Sequence, residues 1–366
     1  MKIISIGILL LIHLAIGFLV AFLLIVAAIF LYLSYKKRLF RKRERLKKKI
    51  YLLIEKALFY EPPSLQKTEN NAWMKIPFKF QALLKKKLPR AVLRTEILQV
   101  QKNISGASRD NLQKLYEQLG LKQDALKKLN RFRQWYIKAE GIQELSIMNQ
   151  RDCLRSIYRY VNDKNEYIRM EAQSAAINFL GFHGLRFLNI ISYPLSEWQQ
   201  LKLLEQLSHK PVLGFKGITA WLQSPNDSVI TFALKLVRVY RCFELHDTVA
   251  KCMEHSNVEV KKSCIITLTD IYTEDTAPLL IWHYATEDTD CRLATLHALC
   301  QIRDPETISF LTEQLQDENN DLKLAAAKAI MATAGSDGIN VLNAYTEAQS
   351  HPWHEIIQQL KAEAAV

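Results

Sequence analysis

The 366 residues of this chain predict an all-α fold, an α-solenoid of helix hairpins behind an N-terminal transmembrane helix. Three observations predict it: a long-period repeat through the C-terminal part, an uncharged apolar run at the amino terminus, and an abrupt change of charge after that run. Taking Ile168 as the phase marker, equivalent residues fall at Ile137, Trp198, Val229, Val260, Cys291, Leu322 and Trp353, spaced by 31 residues except for one step of 30. A fixed period of this length marks stacked supersecondary units, none of which can bury its apolar face alone.

The first element is the apolar run. From Ile3 to Tyr35 no charged residue occurs, and the run exceeds the roughly 20 residues needed to span a bilayer. A cleaved signal peptide has a shorter apolar core behind a basic start, whereas here the charge follows the run. Ten basic residues follow at once: Lys36, Lys37, Arg38, Arg41, Lys42, Arg43, Arg45, Lys47, Lys48 and Lys49, against Glu44 alone. By the positive-inside rule this collar orients the carboxyl side to the cytoplasm, giving a single-pass protein of the inner membrane. His13 is read as a neutral imidazole near the outer end of the span. The collar is expected to bind anionic phospholipid, each cation adding about 1 kcal/mol near a charged leaflet.

The formal net charge of +12 is an average of two opposite regions: residues 50–138 carry 18 basic and 7 acidic side chains, and residues 139–366 carry 20 and 29. Headgroups already neutralise a basic run beside a membrane span, so nucleic acid is not expected as a partner.

The domains expected are a transmembrane helix over 1–35, a basic juxtamembrane helix over 36–60, a helical stalk over 61–129 and the solenoid over 130–366. Glu61-Pro62-Pro63 is expected to stop the juxtamembrane helix, and SLQKTENN reads as a linker. From Trp73 to Lys87 aromatics and lysines alternate around Pro77, a segment suited either to a membrane surface or to packing on the solenoid. Val92, Ile97, Val100 and Ile104 share helical spacing, Ser105-Gly106 closes that helix, and Asp110 opens the next, with Leu112, Leu115, Tyr116 and Leu119 on one stripe and Gly120 at its end.

In the repeats, the second helix of each hairpin starts at an Asx cap three residues before the marker: Asn165, Asn226, Asn257, Asp288 and Asn319. The first helix has its own 31-residue register through Phe187, Ile218, Val249, Leu280, Leu311 and Leu342. Small residues four places after the marker let helices approach closely: Gly141, Ala172, Ala233, Cys264, Thr295 and Ala326. Together with Ile168, Val229, Val260, Cys291 and Leu322 these are structural positions. A basic residue after the marker, as in Lys138, Arg169, Lys261, Arg292 and Lys323, is expected to meet acidic residues of adjacent turns. The unit from Leu195 to Leu207 departs from the pattern, with Leu195 where a cap is expected and Lys202 where a small residue is expected; a local break in curvature follows. Six cysteines show no CxxC pair and fall largely where small apolar residues pack, which implies reduced thiols.

The segments NEYIRMEAQSAAINFL, NVEVKKSCIITLTDIY, DTDCRLATLHALCQI and NNDLKLAAAKAIMAT, each preceded by a first helix such as PETISFLTEQLQ, resemble the HEAT-repeat family over about residues 130–366. The likeness is to the short bacterial form related to phycobilin-lyase-type HEAT-like repeats, within bacterial membrane-anchored HEAT proteins. The resemblance implies an interaction scaffold, docking a membrane-associated protein partner and associated with envelope-polysaccharide glycosyltransferase systems. The alternative it implies is a HEAT-like lyase or modifying enzyme that uses the solenoid groove. A di-iron hydroxylase of this architecture needs several His-Glu pairs, and only His354-Glu355 is present. A DNA glycosylase needs a basic groove, against an acidic repeat region. Cys252 with His255, and His351 with His354, lack metal partners at the required spacing. No Gly-rich phosphate loop or nucleophile elbow occurs. The expectation is therefore a protein that is not an enzyme, with no catalytic, cofactor or metal residues.

Overall fold

The computed structural model describes residues 2–60, 74–131, 134–208, 217–345 and 353–364, and is all-helical throughout them. Two compact units divide the chain, Met1–Cys153 and Leu154–Val366.

The first unit begins with α1, Lys2–Leu58, a single helix in which span, collar and the following apolar turns are continuous. It is long and apolar enough to cross a membrane, and nothing in its most apolar window is buried. The far end of the same helix is different: Ile50, Leu53, Ile54 and Ala57 are buried and enter the core of the unit. At 1.5 Å per residue, α1 is about 85 Å long. Around its inner end pack α2 (Phe78–Leu84), α3 (Lys87–Asn103), α4 (Ala107–Gln118), α5 (Leu121–Leu129) and α6 (Trp135–Ile147). Glu61-Pro62-Pro63, the SLQKTENN linker and Trp73 lie outside the described residues.

Two local expectations in this unit are corrected. The buried stripe of α3 runs through Leu93 and Ile97, while Val92 and Val100 are only half-buried, because the helix turns Leu93 toward α1 and α4. The helix after Ser105 starts at Ala107, not Asp110: Gly106 takes a positive φ of 66° and serves as its N-cap, a conformation glycine adopts without a Cβ clash. Gly120 ends that helix in the left-handed region, as its sequence predicts.

The second unit is a run of helix pairs. Short first helices are α7 (Leu154–Tyr158), a 3-10 segment (Gly181–Asn189), α10 (Ile218–Trp221), α12 (His246–Ala250), α14 (Thr276–Tyr284), α16 (Ile308–Gln314) and α18 (Gly338–Tyr345). Longer second helices follow each: α8 (Glu166–Leu180), α9 (Glu197–Leu207), α11 (Asp227–Tyr240), α13 (Val258–Asp270), α15 (Thr289–Ile302), α17 (Asn320–Ala334) and α19 (Trp353–Ala364). All five Asx caps form: the side chains of Asn165, Asn226, Asn257, Asp288 and Asn319 accept from first-turn amides.

Both registers are buried apart from the half-buried Ile137 and the exposed Trp198. Ile168, Ala172, Val229, Ala233, Val260, Cys264, Cys291, Leu322 and Ala326 lie in the interior, as do Phe187, Ile218, Val249, Leu280, Leu311 and Leu342. Full burial of one such aliphatic side chain stabilises by about 1.5–3 kcal/mol. The unit carrying Phe187 uses a 3-10 segment for its first helix, and Gly184 explains how it fits. A Cβ there would lie 2.4 Å from the Ala176 carbonyl oxygen, so only glycine lets this segment lie on α8.

Candidate functional site

Positions that stacking leaves outward form the candidate site of the second unit. Burial of Cys264 and Leu268 on α13, and of Cys291, Thr295 and Leu299 on α15, turns the opposite faces of these neighbouring second helices outward. Between them lies an open groove of about 500 Å³. Its floor is apolar, built from Ile266, Leu293, Ala294 and Ala298. Ile266 is 44% exposed, an isoleucine held in water on a rigid helix. The rim is polar: Lys262 Nζ lies 3.6 Å from Asp290 Oδ2 and 2.8 Å from Glu259 Oε1, and His297 stands on the same face. Such a surface can bind an apolar anchor flanked by polar groups.

The basic column does not line this groove. Lys261 Nζ bonds both Glu287 oxygens at 2.8 Å, and Arg292 pairs with Asp317 while its guanidinium lies 4.7 Å from the Tyr284 ring centroid. Arg169 donates to the carbonyls of Asp163 and Lys164 and covers Tyr193 at 4.2 Å. Each is thus a strut from a second helix to the turn before the following one, or to its own cap. Other side chains bond one unit away, Arg238 forward to Asp270 at 2.7 Å, Trp221 back to Asn189 at 2.7 Å and Asn257 back to Asp227 at 2.6 Å.

One rung departs from the register its sequence pattern predicts. Ser196, not Leu195, caps α9, with a capping box in which Gln199 bonds back to the Ser196 amide. Ser196 lies 31 residues after Asn165, so the buried marker is Gln199 and Trp198 is 59% exposed, with Lys202 Nζ at 5.3 Å from its ring. The sequence signal was present in S-x-x-Q, but the aromatic next to it carried more apolar weight. Gln199 and Gln200 are buried and satisfied, bonding Glu166 and, across to the next helix, Lys235.

The thiols are packing groups. All six cysteines are free, and burial pushes Cys252 up to about 11 and Cys291 up to about 12, so they stay protonated at neutral pH. Cys252 Sγ faces the Leu222 carbonyl while His255 Nδ1 accepts from the Asn257 amide. Among the described residues no cluster of three or more metal-ligating side chains occurs. The side chains of His351 and His354 lie outside the described set.

In the first unit, nine of the ten collar cations are exposed; Lys47 is half-buried and pairs with Glu96 at 3.2 Å. The collar is therefore a charged shaft from which Lys47 alone turns toward the core. Sequence reasoning missed a second feature here. Glu144, with a fully buried side chain, accepts from Tyr116 at 3.0 Å and Lys128 at 2.7 Å and lies 3.2 Å from Arg94 Nε. It ties α3, α4, α5 and α6 together, a convergence of residues up to 50 positions apart that no linear spacing shows.

The model of HEAT repeats matches residues 280–361. The repeats are HEAT-like. No curated protein matches the chain. Among solved structures, two engineered proteins are similar at 15% and 12% identity, covering 76% and 58% of this chain and 86% and 96% of theirs, with TM-scores of 0.35 and 0.30. A third is the complex of CpcE and CpcF of phycocyanin lyase from Nostoc sp. PCC7120, at 12% identity, covering 78% of this chain and all of that one, with a TM-score of 0.27. This last finding corrects the expectation of a protein that is not an enzyme. Likenesses this distant assign no activity.

Proposed function

We propose that this chain is a membrane-anchored HEAT-like repeat protein that docks a polypeptide partner on the outward face of its second helices. The observation that carries the reading is the α13–α15 groove, an exposed apolar floor with Ile266 at its centre and a Lys262–Asp290 rim. The anchor is α1, and the excess of cations on its carboxyl side supports a cytoplasmic solenoid on the inner membrane. The exposed collar cations support contact with anionic phospholipid. An envelope-polysaccharide glycosyltransferase system is the partner class that family resemblance suggests. The groove also serves the alternative, a lyase or modifying activity on the docked polypeptide.

A photo-crosslinking residue in place of Ile266, in full-length protein within native membranes, tests this. The expected result is a discrete adduct with one membrane-associated protein, abolished by His297→Glu with Leu293→Glu. Absence of any adduct above that of an exposed site on α14, such as Trp282, overturns the reading. A covalent chromophore or altered residue in the crosslinked partner would assign the modifying activity.

A further inference from the structure

The first unit, whose residues number 30 basic against 11 acidic, holds a second cationic surface distinct from the collar. Between α3 and α5 lies a groove of about 420 Å³ whose walls include Lys87, Arg90, Arg94, Lys127, Lys128 and Arg131. Asp124 is the one carboxylate on those walls.

The six cations fall into two sets. Arg90 Nε is fixed by Asp124 Oδ2 at 2.5 Å, and its Nη2 donates to both the Leu119 and Gly120 carbonyls. Arg94 lies against Asp124 and Glu144, and Lys128 is held by Glu140 and Glu144. These three form a fixed floor. Arg94 Nε is buried and faces Glu144 Oε1 at 3.2 Å. Lys87, Lys127 and Arg131 are exposed, and no ion pair of theirs occurs among the described residues. Three anchored cations with three free ones above them, against a few carboxylates already engaged, leave the groove with unneutralised positive charge. Arginine and lysine together suit a phosphate, which takes a planar fork and point charges at once.

The place of the groove along the chain bears on where such a phosphate comes from. Leu88, Ala91 and Val92 of α3 line a shared groove with Phe40, Arg43 and Glu44 of α1, so the start of α3 is level with Phe40. Phe40 is five residues past Tyr35, the end of the uncharged run, which is about 8 Å along a helix. That distance is about the thickness of a headgroup layer.

We propose that the α3–α5 groove binds the phosphate of an anionic phospholipid headgroup, as a defined site separate from the diffuse collar. The proposal rests on the anchor reading. Resistance of the full chain to alkaline carbonate extraction tests that reading by itself.

The site is tested with full-length protein in neutral detergent, using native mass spectrometry to count bound dioctanoyl phosphatidic acid, with dioctanoyl phosphatidylcholine and inorganic phosphate as comparisons. The triple variant Lys87→Ala, Lys127→Ala, Arg131→Ala leaves the internal ion pairs in place. The control variant Lys75→Ala, Lys79→Ala, Lys102→Ala removes equal charge from exposed positions outside both the groove and the collar. Phosphatidic acid is expected to bind the wild type and the control variant alike, and the groove variant at least about tenfold more weakly. Competition by millimolar inorganic phosphate would keep the site and assign it to soluble phosphate; persistence of the lipid adduct assigns it to the headgroup. Equal binding by groove variant and wild type, or equal loss in both variants, overturns the proposal. A groove variant with wild-type melting behaviour shows that lost binding is not lost folding.

Discussion

At the scale of single residues, the ion pairs that matter are the ones most removed from water. Glu144 has three partners on three helices and no exposed side-chain surface. Replacing it with leucine leaves the Tyr116 hydroxyl without its acceptor and leaves Arg94 and Lys128 with only Asp124 at 3.6 Å and Glu140 at 2.8 Å, and the expected loss is about 2 kcal/mol. Thermal unfolding of Glu144→Leu in detergent measures it, and loss within 0.5 kcal/mol would show the network to be incidental. The Arg292–Asp317 strut makes a pH prediction. Burial raises the Asp317 carboxyl, but the Asn319 amide and Arg292 outweigh it and hold the group below its ordinary value of 3.8. A depressed folded value stabilises above the unfolded value, and that contribution disappears as pH falls through the folded one. The Tm difference between wild type and Asp317→Asn is therefore expected to be constant near neutrality and to close below about pH 4. A difference that instead widens in acid contradicts the assignment.

At the scale of elements, caps decide where helices start, and one cap decides a register. Ser196 and Gln199 start α9, so Trp198 points outward although its bulk suggested burial. Ser196→Ala is expected to lose about 1 kcal/mol, and Trp198→Ala less than about 0.5 kcal/mol, as read from paired melting curves. The reverse order would restore Trp198 to the buried register. The five Asx caps and both 31-residue registers were legible because each rests on chemistry local to one turn. The α9 register was legible only through its capping box, and apolar weighting hid that. Gly184 shows a different limit. Its role depends on the Ala176 carbonyl lying against it, a contact across the hairpin that sequence pattern does not record. Gly184→Ala is expected to be markedly destabilising through its clash with α8, whereas Gly335→Ala, with open space around it but φ 58° and ψ −122°, is expected to lose about 1–2 kcal/mol to backbone strain alone.

At the scale of the whole molecule, the chain is two units of opposite charge, the second with 19 basic against 26 acidic residues. Their charge balance and the anchor were legible from composition; the cationic α3–α5 groove was not, since Arg90, Lys127 and Arg131 line one groove only once α3 and α5 are folded near each other. The two units also differ in how they hold together. The first closes around one core on α1, while in the second each helix pair packs chiefly on its neighbours, so stability there is a sum of rung and interface terms. Damage to one rung should then spread along the array and not into the α1 core. Ala326 is fully buried in α17, and Ala326→Asp places an unpaired carboxylate among Leu296, Leu311 and Ile330. Hydrogen exchange of the full chain is expected to show lost protection in α17 and in its neighbours α15 and α16, with α11 less affected and the α1, α3 and α4 amides unchanged. Uniform loss of protection across both units would mean that they fold as one cooperative block, and the rung picture would fail.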